Sequence, residues 1–103
     1  MRDLYDEVGE LNDLLPKTPA ERLGKLTEEV GELAKEVNKT NGMKVNSNTK
    51  EEILEEITQE GADVIQNAFS ILKAFGIEYD DVVAAMEKKN DKWRSNINDT
   101  NEN

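Results

Sequence analysis

Apolar side chains recur along this chain at three- and four-residue steps, the pattern of helices with one buried face. No stretch alternates with the two-residue period of a strand. Over residues 4–15 the pattern passes through Leu4, Tyr5, Val8, Leu11 and Leu14 or Leu15, and predicts a first helix. Pro16 ends it, because the proline ring disfavours helical backbone in the residue before it. Thr18 then has the hydroxyl to cap a second helix, with Pro19 at its first position and Glu21 at its third. That helix is expected to reach Asn38, with an apolar stripe of Leu23, Leu26, Val30, Leu33, Ala34 and Val37. Gly24 and Gly31 lie inside it, each costing up to about 1 kcal/mol against alanine, so close packing on a neighbouring helix is the expected reason for them.

The polar stretch 38–48, with Asn41-Gly42 and Asn46-Ser47-Asn48, carries turn chemistry and is expected to be a loop. Thr49 with Glu52 repeats the capping pattern and opens the longest predicted helix, 50–75, with an apolar arc of Ile53, Ile57, Val64, Ala68, Ile71 and Phe75. Gly61 interrupts it at a point of close approach or a kink, and Gly76 is a natural terminator. A last helix, capped by Asp80 or its neighbour, is expected to run to Arg94 with Val82, Val83, Met86 and Trp93 facing inward. The expectation is an all-α protein of four main helices, one domain over 1–94, with 95–103 as a frayed polar tail. The arc on 53–75 covers nearly half the helix surface, more than one small subunit can shield. A homodimer or homotetramer is therefore expected.

Composition narrows the chemistry. Thirteen basic and twenty-three acidic side chains leave a formal charge of −10, which repels nucleic acid and anionic membranes and attracts cations. There is no histidine, so there is no imidazole base and no Ser-His-Asp triad. There is no cysteine, so there is no thiol nucleophile, thiolate metal site or disulfide. With no apolar run of membrane-spanning length and no signal-peptide core at the start, a cytoplasmic location is expected. Any hydrolysis must rest on carboxylates and metal-activated water.

The acids have an order that matters. In Leu26-Thr-Glu-Glu-Val-Gly-Glu-Leu-Ala-Lys-Glu, Glu29, Glu32 and Glu36 share one side of a helix, and Glu28–Glu32 and Glu32–Glu36 are like-charge neighbours at i,i+4. Each such pair opposes helix formation by about 0.2–0.5 kcal/mol. Further on, Glu56, Glu60, Asp63 and Asn67 form one row beside the apolar arc, with Glu60 nearest its edge and partly desolvated. Two helices with acid pairs at i,i+3, Glu29 with Glu32 and Glu60 with Asp63, can converge on one hard divalent ion such as Mg²⁺ or Mn²⁺. The alternative is charged, solvated helix faces of an acidic protein.

The order Glu28-Glu29-x-x-Glu32, then Glu60-x-x-Asp63, resembles the signature of the MazG-type all-α nucleoside triphosphate pyrophosphohydrolases. The words Ala62-Asp-Val-Ile-Gln-Asn67, Gly76-Ile-Glu-Tyr-Asp-Asp-Val-Val83 and Lys88-Lys-Asn-Asp-Lys-Trp-Arg94 are similar too, so the resemblance covers most of 4–94. It implies a MazG-like helical domain that hydrolyses a nucleoside triphosphate to monophosphate and pyrophosphate. It implies Mg²⁺ (or Mn²⁺) on Glu29, Glu32, Glu60 and Asp63, with Glu28, Glu29 and Glu32 as the catalytic carboxylates. It also implies substrate contacts from Lys89, Asn90, Lys92 and Arg94, while Asn67, one turn beyond Asp63, is placed either to face the nucleotide or to serve as a solvated or capping amide. Spacing around the basic segment is loose against the family pattern, and its other reading is a set of cations offsetting a helix C-terminal dipole. Trp93 reads as core or interface. Two rival functions are a phosphoribosyl-ATP pyrophosphatase, whose acid-rich helix usually reads differently, and a non-catalytic acidic helical interaction protein.

Overall fold

The structure, a computed structural model, describes residues 1–40 and 49–101, and among these all regular structure is helical. Helix α1 spans Arg2–Leu14, α2 Pro19–Asn38, α3 Lys50–Ala74 and α4 Tyr79–Asn101. This is the all-α class expected from the apolar periodicity. The turn chemistry expected at 41–48 lies outside the described residues.

The helix ends follow from capping chemistry. At α2 the Thr18 hydroxyl accepts the Glu21 N–H at 3.2 Å, while the Glu21 carboxylate accepts the Thr18 N–H at 3.1 Å, with Pro19 at the first turn. Replacing Thr18 by Ala should lower stability by about 1 kcal/mol in a denaturant titration, and a change below about 0.3 kcal/mol would contradict the cap. At α3 the Thr49 hydroxyl accepts the Glu52 N–H at 3.2 Å. The far end of α3 closes with Gly76 N–H on the Lys73 carbonyl (2.9 Å) and Ile77 N–H on the Leu72 carbonyl (3.1 Å). That closure needs a left-handed residue, and Gly76 supplies it at φ 72°.

Helices α2 and α3 are antiparallel partners: Glu36 faces Glu56 through Lys39, Glu29 faces Glu60, and Arg22 reaches Ser70. Helix α1 packs across the second half of α3, and among the described helices α4 touches only α1. The centre of the core is Tyr5, fully buried, edge-on to Phe69 at 5.0 Å and tilted against Tyr79 at 5.6 Å. Its hydroxyl donates to the Ile77 carbonyl at 2.6 Å. The Lys73 ammonium lies over the Tyr5 ring and pairs with Asp6 at 3.1 Å. Gly9 leaves room for that lysine, since a Cβ there would stand 3.0 Å from Lys73 Cδ. Arg22 ties three helices together, donating to Asn12 Oδ1 (2.7 Å) and Ser70 Oγ (2.6 Å), while Asn12 donates to the Ser70 carbonyl (2.9 Å).

Several expectations are corrected. The face that α2 turns to α3 is Arg22, Leu26, Glu29, Leu33 and Glu36, so Leu23, Val30 and Val37 of the expected stripe are exposed while Glu29 and Glu36 are buried. The helix has rotated toward its acidic flank, and its remaining apolar residues face outward. No close packing surrounds Gly24, Gly31 or Gly61: a Cβ at any of them would meet nothing within 4 Å. On α4, Val82 and Val83 are half-buried, but Met86 and Trp93 are 59% and 68% exposed, because α4 leaves the body after its first turns. The helix also continues past Arg94 to Asn101, into the segment expected to fray. No glycine or proline follows Gly76 to stop it, and the Thr100 hydroxyl donates back to the Asn96 carbonyl at 2.9 Å.

The projecting helix gives a radius of gyration of 17.1 Å, against about 13 Å for a compact domain of this length. Tyr5 and Val8 are the only buried hydrophobic side chains among the described residues. No helix among them is long and apolar enough to cross a membrane.

Candidate functional site

The antiparallel register of α2 and α3 sets the turn carrying Glu29 opposite the turn carrying Glu60 and Asp63. One carboxylate oxygen from each of these three lies within 4.8 Å of the other two. Glu29 is 8% exposed, and Glu60 and Asp63 are half-buried. One helical turn before Glu29, the Lys25 ammonium sits 3.0 Å from its carboxylate. That hydrogen bond, followed by one with Glu60, holds the Glu29 pKa below the ordinary glutamate value. Across from it the Glu60 carboxyl is pushed up, first by sharing its hydrogen bond with Glu29, then by burial and the charges of Glu29, Asp63 and Glu32. Oε2 of Glu60 is buried with no hydrogen-bond partner among the described residues. A buried carboxylate oxygen without a donor is costly, and a proton or a cation relieves it.

The sign for stability follows from that upward shift. A raised folded-state pKa means that Glu60 favours the fold while protonated, and that this contribution is lost as pH rises through its shifted value. In metal-free buffer Glu60→Gln should therefore melt above wild type at neutral pH, and the gap should close as pH falls below the raised pKa. A gap that stays constant from acid to neutral pH would contradict the pairing with Glu29.

A second carboxyl pair lies along the same helix interface, farther from the ends joined to α1 and α4. Lys39 sits 3.0 Å from buried Glu36 and 3.5 Å from Glu56. Glu36 is held low by its hydrogen bonds with Glu56 and Lys39, and Glu56 is pushed up by Glu36. Here the lysine already bridges both acids, whereas Lys25 contacts one side of the first cluster.

The predicted site residues do not all assemble. Glu29, Glu60 and Asp63 come together, while Glu28 and Glu32 are exposed on α2 beside them. Asn67 lies on the same row as Glu60 and Asp63, its amide donating to the Asp63 carbonyl at 2.8 Å. Lys89, Asn90, Lys92 and Arg94 are exposed on α4, which has no close contact with α2 or α3, so a single chain does not bring them to the acids.

No family model, curated protein or solved structure matches this chain. What the site can do rests on its own groups.

Beside the acid cluster lies a cleft of about 230 Å³ whose polar lining includes Asn12, Lys17, Arg22, Lys25, Asn67 and Ser70. Three cations line this cleft in a protein that is acidic overall, and one of them, Lys25, also contacts Glu29. Arg22, Lys25 and Asn12 belong to no pattern of apolar or acidic positions in the sequence. Lys25 had a visible signal, standing four residues before Glu29 on the same helix. Arg22 had none, because its partners Asn12 and Ser70 are distant in sequence and meet only in the packed α1–α2–α3 corner.

Proposed function

We propose that this chain is a divalent-metal-dependent nucleoside triphosphate pyrophosphohydrolase of the MazG type, releasing a nucleoside monophosphate and pyrophosphate. The observation that carries the proposal is the convergence of Glu29, Glu60 and Asp63 from two helices, with Glu60 Oε2 buried and lacking a donor. The donor set fits the ion: oxygen ligands alone, few in number, suit Mg²⁺ or Mn²⁺ and leave positions for water and phosphate. Glu29, Glu60 and Asp63 would hold it, with Glu32 as the fourth acid within reach of the same charge field. When bound, the ion supplies charge neutralisation for the triphosphate and acidifies the attacking water.

The chain's own groups do the rest. Glu28 or Glu32, exposed on α2 beside the cluster, takes the proton of the water as its oxygen bonds to the α-phosphorus. The bond from the α-phosphorus to the bridging oxygen breaks, and pyrophosphate carries away that electron pair. Lys17, Arg22 and Lys25 line the adjoining cleft and offset the anionic groups of the substrate.

The test is a panel of ribo- and deoxynucleoside triphosphates incubated with the protein and Mg²⁺, with pyrophosphate and monophosphate quantified. Stoichiometric release of both, abolished by a chelator, is expected. Orthophosphate with diphosphate, or no turnover of any member, would overturn the reading. One observation favours the alternative of a non-catalytic interaction protein: Lys25 already neutralises part of the cluster. That reading requires no metal dependence of any property of the cluster.

A further inference from the structure

The molecule exposes two apolar features whose flanking charges are opposite. The first is on α4. Met86, Trp93 and Ile97 are exposed, and at 3.6 residues per turn they fall on one face, continuous with the half-buried Val82 and Val83. Lys89 and Arg94 flank that face on either side, with Lys88 and Lys92 behind. The second is a groove of about 320 Å³ between α1 and α3, with apolar walls from Met1, Leu4, Leu11, Ile65 and Phe69. Its α1 rim is acidic: Glu7 lines the groove, and Asp3 and Glu10 follow on the same outer edge of the helix.

We propose that α4 of one copy docks in the α1–α3 groove of a second copy, seating Trp93 on its apolar floor. The chain's own α4 does not fill its own groove. Its contacts with α1 are confined to the corner where Arg2 pairs with Asp80 and Tyr5 meets Tyr79, and beyond that corner α4 runs clear of the body. Pairing of α4 with α4 of the second copy is disfavoured, because it brings the Lys89 and Arg94 that flank this face in each copy side by side. The acidic rim of α1 offers those cations opposite charge, and the groove offers the apolar face a cover that one chain lacks. Docked in this way, the exchange is reciprocal, as a two-fold assembly requires. This inference does not depend on a metal at the acid cluster. It does carry cations of α4 to a groove that shares Val8, Leu11 and Gln66 with the cleft beside the acids.

Trp93 is the chain's one tryptophan, so intrinsic fluorescence reports on this contact alone. The full-length protein is diluted through the micromolar range while light-scattering mass and tryptophan emission are recorded together. A dimer or higher even assembly with blue-shifted, acrylamide-shielded emission is expected, with mass and emission wavelength changing over the same concentrations. Leu11→Asp in the groove should weaken assembly by about tenfold or more. Glu7→Lys, an exposed change that does not threaten the fold, should weaken it in the same direction and reduce its salt dependence. A monomer at all concentrations overturns the proposal. So does an assembly whose tryptophan stays open to quencher, which places the interface elsewhere. An assembly with shielded tryptophan that is indifferent to Glu7→Lys overturns it in favour of α4–α4 pairing.

Discussion

Asp63→Asn should remove pyrophosphate release by at least about a hundredfold, while the metal-free protein melts no lower than wild type. The two halves of this result have one cause. Without a cation, Asp63 stands with Glu29 and Glu60 in a group of acids within 4.8 Å, and its charge raises the energy of ionised Glu60. Neutralising it relieves repulsion, so the fold loses nothing and Glu60 ionises more readily. The same change takes away an oxygen ligand of full charge, and the remaining acids hold a divalent ion too weakly to offset a triphosphate. Glu29→Gln differs in an informative way. It also frees Lys25 from its 3.0 Å ion pair, so turnover should fall as far while stability changes by the sum of one repulsion lost and one attraction lost. Steady-state pyrophosphate release beside a thermal melt checks both variants. Activity within about threefold of wild type in Asp63→Asn would contradict the assigned role.

Tyr5→Ala should cost about 3–5 kcal/mol, enough to abolish cooperative melting in a protein whose whole stability lies within about 5–15 kcal/mol. Among the described residues Tyr5 and Val8 are the buried hydrophobic side chains, and Tyr5 joins α1 to both α3 and the start of α4. Removing it strips the edge contact to Phe69, the stacking against Tyr79, the cover over Lys73 and the hydroxyl bond to Ile77. Tyr5→Phe keeps all but the last and should cost about 1–2 kcal/mol, much of it from the Ile77 carbonyl left without its donor. Circular dichroism melts of the pair separate the ring from the hydroxyl. An alanine variant melting within a few degrees of wild type would show that the core lies elsewhere.

The helices were legible because their ends are written in local chemistry. Thr18 with Glu21, Thr49 before Glu52, Pro16 and Gly76 act over three or four residues, and no tertiary contact competes with them. The far end of α4 was not legible, since polar residues without a glycine or proline neither demand nor forbid a helix. Rotation of α2 about its axis was misread for a physical reason. Apolar periodicity predicts which residues avoid water, but at α2 the stripe of Leu23, Val30 and Val37 stays exposed while Glu29 and Glu36 turn inward. A buried carboxylate becomes tolerable through Lys25 and Lys39, and those pairings depend on the register with α3. The convergence of Glu29 with Glu60 and Asp63 could be anticipated from their spacing. The Asn12–Arg22–Ser70 knot and the cleft it borders could not, because they join three helices at separations no local pattern encodes.

The most direct test of a cation held by Glu29, Glu60 and Asp63 is the melting temperature of wild type and Asp63→Asn across a Mg²⁺ titration at constant ionic strength. Binding to the folded state alone raises stability with the logarithm of ligand concentration above the dissociation constant. Wild type should therefore climb steadily with Mg²⁺, while Asp63→Asn stays nearly flat from a starting point equal to or above wild type. Equal rises in both proteins, or no rise in either, would contradict a metal centre at these residues.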